Sequence, residues 1–103
     1  MAFANATDLP YFSPIGGQSA RGKAPARYSY KTEDALTTVD GAGYFNAISG
    51  LLKIGDIIDV IVVTNRGASN EALSDAGAVI VNANASGVVD TTNETAYTTT
   101  DSD

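Results

Sequence analysis

The sequence predicts an α+β, mainly β domain: a small antiparallel sheet or barrel-like body with one or two short helices and an extended N-terminal arm. Three observations carry this reading. The apolar runs "IIDVIVVT", "AVIVNAN" and "VVDTT" are short, β-branched and bounded by turn residues, as strands are. Only residues 43–53 show a sustained helical period. All three prolines, Pro10, Pro14 and Pro25, fall within the first 27 residues together with Gly16, Gly17 and Gly22. Proline removes amide donors and glycine costs backbone entropy, so residues 1–27 read as an arm and residues 28–103 as the body.

In the arm, Leu9, Tyr11, Phe12 and Ile15 form an apolar cluster that would be wet unless a body or a neighbour covered it. At the start of the body, Tyr28 and Tyr30 alternate with Ser29 and Lys31, a short strand pattern. Thr32, followed by Glu33 and Asp34, resembles the start of a short helix that ends near Val39, before the Asp40-Gly41 turn. In "GYFNAISGLLK", Tyr44, Phe45, Ile48, Leu51 and Leu52 recur at spacings of three and four. They predict a helix of about three turns with one apolar stripe, for the body core or a subunit interface. Gly50 weakens that helix and Gly55 ends it.

Residues 57–64 give the clearest strand, apolar on both faces except at Asp59. Asp59 reads as an edge or interface acid; a catalytic role would need a second acid or a base, and the sequence offers none beside it. "NRGASNEALSDAG" reads as a surface loop with one helical turn at 71–74. "AVIVNAN", the turn "ASG" and "VVDTT" read as strand, turn and strand. The tail has six threonines and no basic residue after position 90, with Tyr97 placed to anchor a final strand.

A chain of 103 residues makes one domain at most. It contains no cysteine and no histidine, which excludes disulfides, thiol chemistry, imidazole bases and the usual zinc ligands. No stretch is long and apolar enough to span a bilayer, and "MAFANATDLP" lacks the layout of a signal peptide, so a soluble protein of a reducing cytoplasm is expected. Charge is uneven. Residues 1–31 hold four basic residues against Asp8, a net +3; residues 32–103 hold Lys53 and Arg66 against eleven acids, a net −9. The acidic body should repel nucleic acid, and four cations without a recognition motif suit an acidic protein surface better.

"GGQSARGKA" has the Gly-x-x-x-x-Gly-Lys spacing of a phosphate-binding loop. The expected preceding strand holds Pro10 and Pro14, Ala24 stands where a magnesium-binding hydroxyl belongs, and Pro25 follows, so the spacing carries no nucleotide chemistry. The acids of the tail lack the spacing of a calcium loop. No catalytic residue, metal or cofactor is expected.

The ordered series "PIGGQSARGKAPARYSYKTEDALTTVDGAGYFN", "LLKIGDIIDVIV" and "ASGVVD", spanning roughly residues 14–90, resembles small virion proteins of tailed bacteriophages described as head decoration, cement or head-fibre proteins. The resemblance implies a non-enzymatic component assembled in the host cytoplasm and bound to the major capsid protein on the outside of the shell as a homo-oligomer, a trimer. No nucleic-acid or membrane partner is expected. The arm would then reach a neighbour through Tyr11, Phe12, Arg21, Lys23 and Arg27, arginine being suited to fixed contacts with carboxylates. Tyr44, Phe45, Ile48 and Leu52 would form the body core or an oligomer interface.

Overall fold

The structure, a computed structural model, describes residues 2–15 and 25–97. In chain order these form helix α1 (Asn5–Asp8), a 3-10 turn (Leu9–Tyr11), strand β1 (Phe12–Ile15), β2 (Arg27–Thr32), helix α2 (Leu36–Val39), a second 3-10 turn (Asn46–Ile48), β3 (Ile57–Thr64), β4 (Ala72–Ala85), β5 (Val88–Thr91) and β6 (Thr95–Ala96). The strands make one open sheet in the order β1-β2-β3-β4-β5, with β6 beside β4. The architecture is the mainly β sheet with short helices that the sequence predicts; it does not close into a barrel.

One pairing, β2 with β3, is parallel, and the others are antiparallel. A parallel neighbour needs a crossover connection that returns the chain to the same end of the sheet. Residues 33–56 are that connection, and they cover one face. Tyr28, Tyr30 and Thr32 of β2, Ile58, Val60 and Val62 of β3, and Val79 and Val81 of β4 are buried beneath Leu36, Val39, Tyr44, Phe45, Ile48 and Leu52.

The helix predicted over 43–53 is not formed. The segment is a run of turns around a single 3-10 turn, although Tyr44, Phe45, Ile48 and Leu52 all reach the core. Gly43 has φ +84°, outside the helical region. Polar groups that would serve a helix are bonded elsewhere: Asn46 Oδ1 accepts from the Val89 amide at 2.8 Å, and Asn84 Nδ2 donates to the carbonyls of Ser49 and Leu52, each at 2.7 Å. Leu51, counted in the predicted stripe, is exposed.

The loop predicted over 65–77 is also shorter than expected. A tight connection, with φ positive at Asn65 and Gly67, leads into β4 at Ala72, and residues 71–74 form no helical turn. Small residues let the chain pack there: a Cβ on Gly77 would lie 2.8 Å from the Thr95 carbonyl oxygen of β6. Thr32 ends β2 instead of capping a helix; its Oγ1 accepts from the Asp34 amide at 2.9 Å, and α2 begins three residues later than the acids suggested.

The described part of the predicted arm is built into the body. Phe3 and Phe12 are buried in one aromatic cluster with Tyr28, Tyr30, Tyr44 and Phe45; Phe12 stacks on Tyr28 with ring centres 5.1 Å apart. Pro14 lies in β1 at the sheet edge, where a missing amide hydrogen removes no ladder bond. Pro14 thus marks an edge strand in 12–15, and Phe3, Phe12 and Tyr28 supply the burial that holds it.

Candidate functional site

Side chains alternate along a strand, so the residues between the core-facing ones line the opposite face of the sheet. Among the described residues, the first 3-10 turn and Tyr97 reach over it. Register sets two rows across it: Ile15, Arg27, Ile57 and Ile80; then Ser13, Ser29, Asp59 and Ala78. Lys31, Ile61 and Ala76 follow in register. Ile15 and Ile80 are exposed, 48% and 43%, and Ile57 and Ile61 are half-buried. Beside Ile61 a shallow hollow of about 350 Å³ opens between the first 3-10 turn and β2, walled by Tyr11, Ser13, Ser29 and Lys31.

The centre of this face is a closed polar unit. Arg27 Nε and Nη2 donate to the two oxygens of Asp59 at 2.7 and 2.9 Å, and the Tyr97 hydroxyl donates to Asp59 Oδ1 at 2.7 Å. The Arg27 hydrogen bonds hold the Asp59 carboxyl below the usual range, and Asp59 in turn raises both Arg27 and Tyr97. A carboxylate so held is a poor proton acceptor, which suits Asp59 to fixing a surface and not to proton transfer. Lys31 Nζ pairs with Glu71 at 2.8 Å. The Gly67 amide and then Lys31 keep the Glu71 carboxyl low.

A second cluster locks the N-terminal segment. Arg66 Nη1 lies 3.0 Å from Asp8 Oδ1 and donates to the Lys31 carbonyl at 3.0 Å. Its guanidinium sits 4.1 Å from the centre of the Tyr11 ring, a cation–π contact. Burial opposes the charge on Arg66, but Asp8 outweighs it and the pKa rises. Asp8 also accepts from the Ala4 amide at 2.8 Å. A third cluster is internal: the Tyr44 hydroxyl donates to Asp34 at 2.6 Å, so the Tyr30 hydroxyl, 2.8 Å away, donates to Tyr44. Burial raises the pKa of both phenols.

The residues singled out in the sequence part company here. Phe12 is a core residue and offers nothing to a partner. Tyr11 is half-buried and carries Arg66, and Arg27 is committed to Asp59. Arg21 and Lys23 lie outside the described residues. Tyr44, Phe45, Ile48 and Leu52 are in the body core. The sequence reading missed Arg66 and Asp34. Asp8 was legible: as the single acid among residues 1–31 it had most to gain from a cation in the body. Among the described residues no three acids converge as a metal site, and no helix is long and apolar enough to cross a membrane. Compared with known proteins, the chain matches no family model, no curated protein and no solved structure.

Proposed function

We propose that this chain is a structural virion protein that decorates a tailed-phage capsid and stabilises it by bridging neighbouring capsid subunits. The observation that carries the reading is the order of motifs along residues 14–90. The structure gives those motifs concrete work. "YSYKT" is the core-facing strand β2. "GYFN" covers the sheet. "KIGD" places Asp56, buried, where it accepts from the amides of Ala26 and Lys53 at 2.9 and 3.0 Å. "ASG" turns β4 into β5, with positive φ at Ser86 and Gly87. Motifs that specify a fold are the ones a resemblance in order alone should preserve.

Bridging is mechanical. A bound protein adds buried area between subunits that would otherwise separate under internal pressure, and binding shifts stability by mass action. Arg21 and Lys23, in the segment joining β1 to β2, supply the basic charge for an acidic shell. The test is to add the purified chain to capsids assembled without it and to measure sedimentation and thermal rupture. Saturable binding with a raised rupture temperature is expected. Binding that is absent, or that leaves the rupture temperature unchanged, overturns the reading. In a second arm, Arg21→Ala/Lys23→Ala should weaken binding at least tenfold while leaving the fold intact.

A further inference from the structure

Residues 92–97 carry an inference independent of the capsid reading. They follow β5 and run on along β4, ending in the short strand β6 and Tyr97. We infer that this segment is a strap that opens and closes on its own while the sheet beneath it stays folded, and that carboxylates at its two ends decide how tightly it closes.

Burial makes the strap separable. Thr95, Ala96 and Tyr97 are exposed, and none of residues 92–97 joins the apolar core. The segment therefore gains little from the burial that holds β3 against β4. Hydrogen bonds hold it instead. The Thr92 amide donates to the Ile80 carbonyl at 2.9 Å, and Thr92 Oγ1 accepts from the Ile80 amide at 3.1 Å. Further on, β6 lies beside Gly77 and Ala78, and the Tyr97 amide donates to the Ala76 carbonyl at 2.9 Å. Opening beyond Thr92 bares the edge of β4 at Ala76–Ala78 and leaves the pairings of β2, β3 and β4 intact. A bared edge of this kind accepts an extended strand from another chain.

The two ends of the strap are fastened to carboxylates with opposite surroundings. On the open face, the Tyr97 hydroxyl donates to Asp59 at 2.7 Å, and Asp59 is paired with the cation Arg27. Lys31, further along that face, is taken by Glu71. At the other end, the Glu94 amide donates to Asp40 Oδ2 at 3.2 Å. Here Glu94 sits among acids, Asp40 and Asp75, and no cation among the described residues pairs with any of the three. At neutral pH these like charges push the strap open. A proton on Glu94 relieves the repulsion and bonds Glu94 to Asp40; that bond first, and the neighbouring charges after it, place the Glu94 carboxyl above its ordinary range. A pKa raised in the closed state favours closure below it, and the contribution is lost as pH rises through it. Asp59 has the opposite sign: its carboxyl is lowered, by Arg27 first and by Tyr97 as well, so its contribution is present above its pKa and fades in stronger acid. The strap is therefore tightest in mild acid, between the two.

Amide hydrogen exchange of the full chain by NMR tests this, each rate being divided by that of an unstructured peptide at the same pH to give a protection factor. The Val81 amide, bonded to the Asp56 carbonyl at 2.8 Å within the core, reports opening of the whole fold. At pH 7 the Tyr97 amide should be protected at least a hundredfold less than that of Val81. Its protection relative to Val81 should rise at least twofold between pH 7 and pH 4.5. Glu94→Gln, at a surface position, should abolish that rise and protect the Tyr97 amide better than the parent does at pH 7. Tyr97→Phe should lower protection at position 97 at least threefold and leave Val81 unchanged. A Tyr97 amide protected as strongly as that of Val81 would overturn the inference, since the segment would then open only with the whole fold. So would protection at position 97 that Tyr97→Phe leaves unchanged, that does not rise in mild acid, or whose rise survives Glu94→Gln. Capsid binding plays no part in this measurement, so the two readings fail separately.

Discussion

Tyr44 has one hydroxyl hydrogen and gives it to Asp34, which obliges Tyr30 to donate to Tyr44. Both tyrosines are buried, and burial favours the neutral phenols. The folded pKa values of both tyrosines lie above the unfolded value near 10. The unfolded chain therefore loses protons first as pH rises, and stability present below about pH 10 is lost above it, by up to about 1.4 kcal/mol per pH unit for each tyrosine. Thermal unfolding followed from pH 8 to 11.5 should show that fall. Tyr44→Phe strands the Tyr30 hydroxyl and one Asp34 oxygen; a loss of about 1–3 kcal/mol at pH 7 is expected, with a shallower alkaline fall than the parent shows. An unchanged alkaline slope in this variant would deny the network its role. Asp59 works in the opposite sense. Its folded pKa is depressed, so its contribution is present above the unfolded value near 4 and fades as pH drops through the folded one. Both partners are partly exposed, so that contribution is small.

Among elements, the segment from Phe3 to Ile15 shows what the sequence made legible and what it hid. The prolines and glycines of residues 1–27 predict an extended arm and not a core element. Proline forbids a central strand but not an edge one, and local propensity cannot report that Phe3 and Phe12 find Tyr28, Tyr30 and Phe45 in space. Strand β3 was legible because a β-branched, apolar run of eight residues follows a turn signal. The start of β4 was hidden because its exposed Ala72, Leu73 and Ser74 and its buried Ala76 and Gly77 make no apolar alternation, so the run has a loop's composition. The turns over 43–53 kept their apolar spacing and lost their helix to Asn46 and Asn84, whose distant bonds no local pattern announces. Two substitutions test the packing of the segment. Arg66→Met leaves Asp8 buried beside no cation and should cost about 3 kcal/mol, and Asp8→Asn in the same chain should recover part of it; a strictly additive double-mutant cycle would contradict the coupling. Gly67→Ala should cost about 1–3 kcal/mol, because φ is +81° and the new Cβ would lie 2.6 Å from the Tyr11 hydroxyl. Chemical denaturation reads both.

For the whole molecule, the organising fact is a sheet with one covered face and one open face. The crossover from β2 to β3 covers the first, and the second is crossed by Tyr97, whose hydroxyl bonds to Asp59. The mainly β class was readable from the sequence, as was the burial of Tyr44, Phe45, Ile48 and Leu52 in either the body core or an interface, since both follow from which residues are apolar. The open face was not, because Ile57 and Ile61 look as apolar as the core residues between them. Only the register, which sets Arg27 beside Ile57 and Asp59 beside Ser29, tells the two faces apart. Of the residues predicted to grip a neighbour, Phe12 lies in the core and Arg27 pairs with Asp59, while Arg21 and Lys23 lie outside the described residues. The measurement that bears most directly on the capsid account is an electron-microscopy map of the whole particle, resolved well enough to place this fold. The account predicts its density at regular positions on the outside of the head, bridging capsid subunits. Density confined to the tail, or a head shell with none of it, would contradict that account.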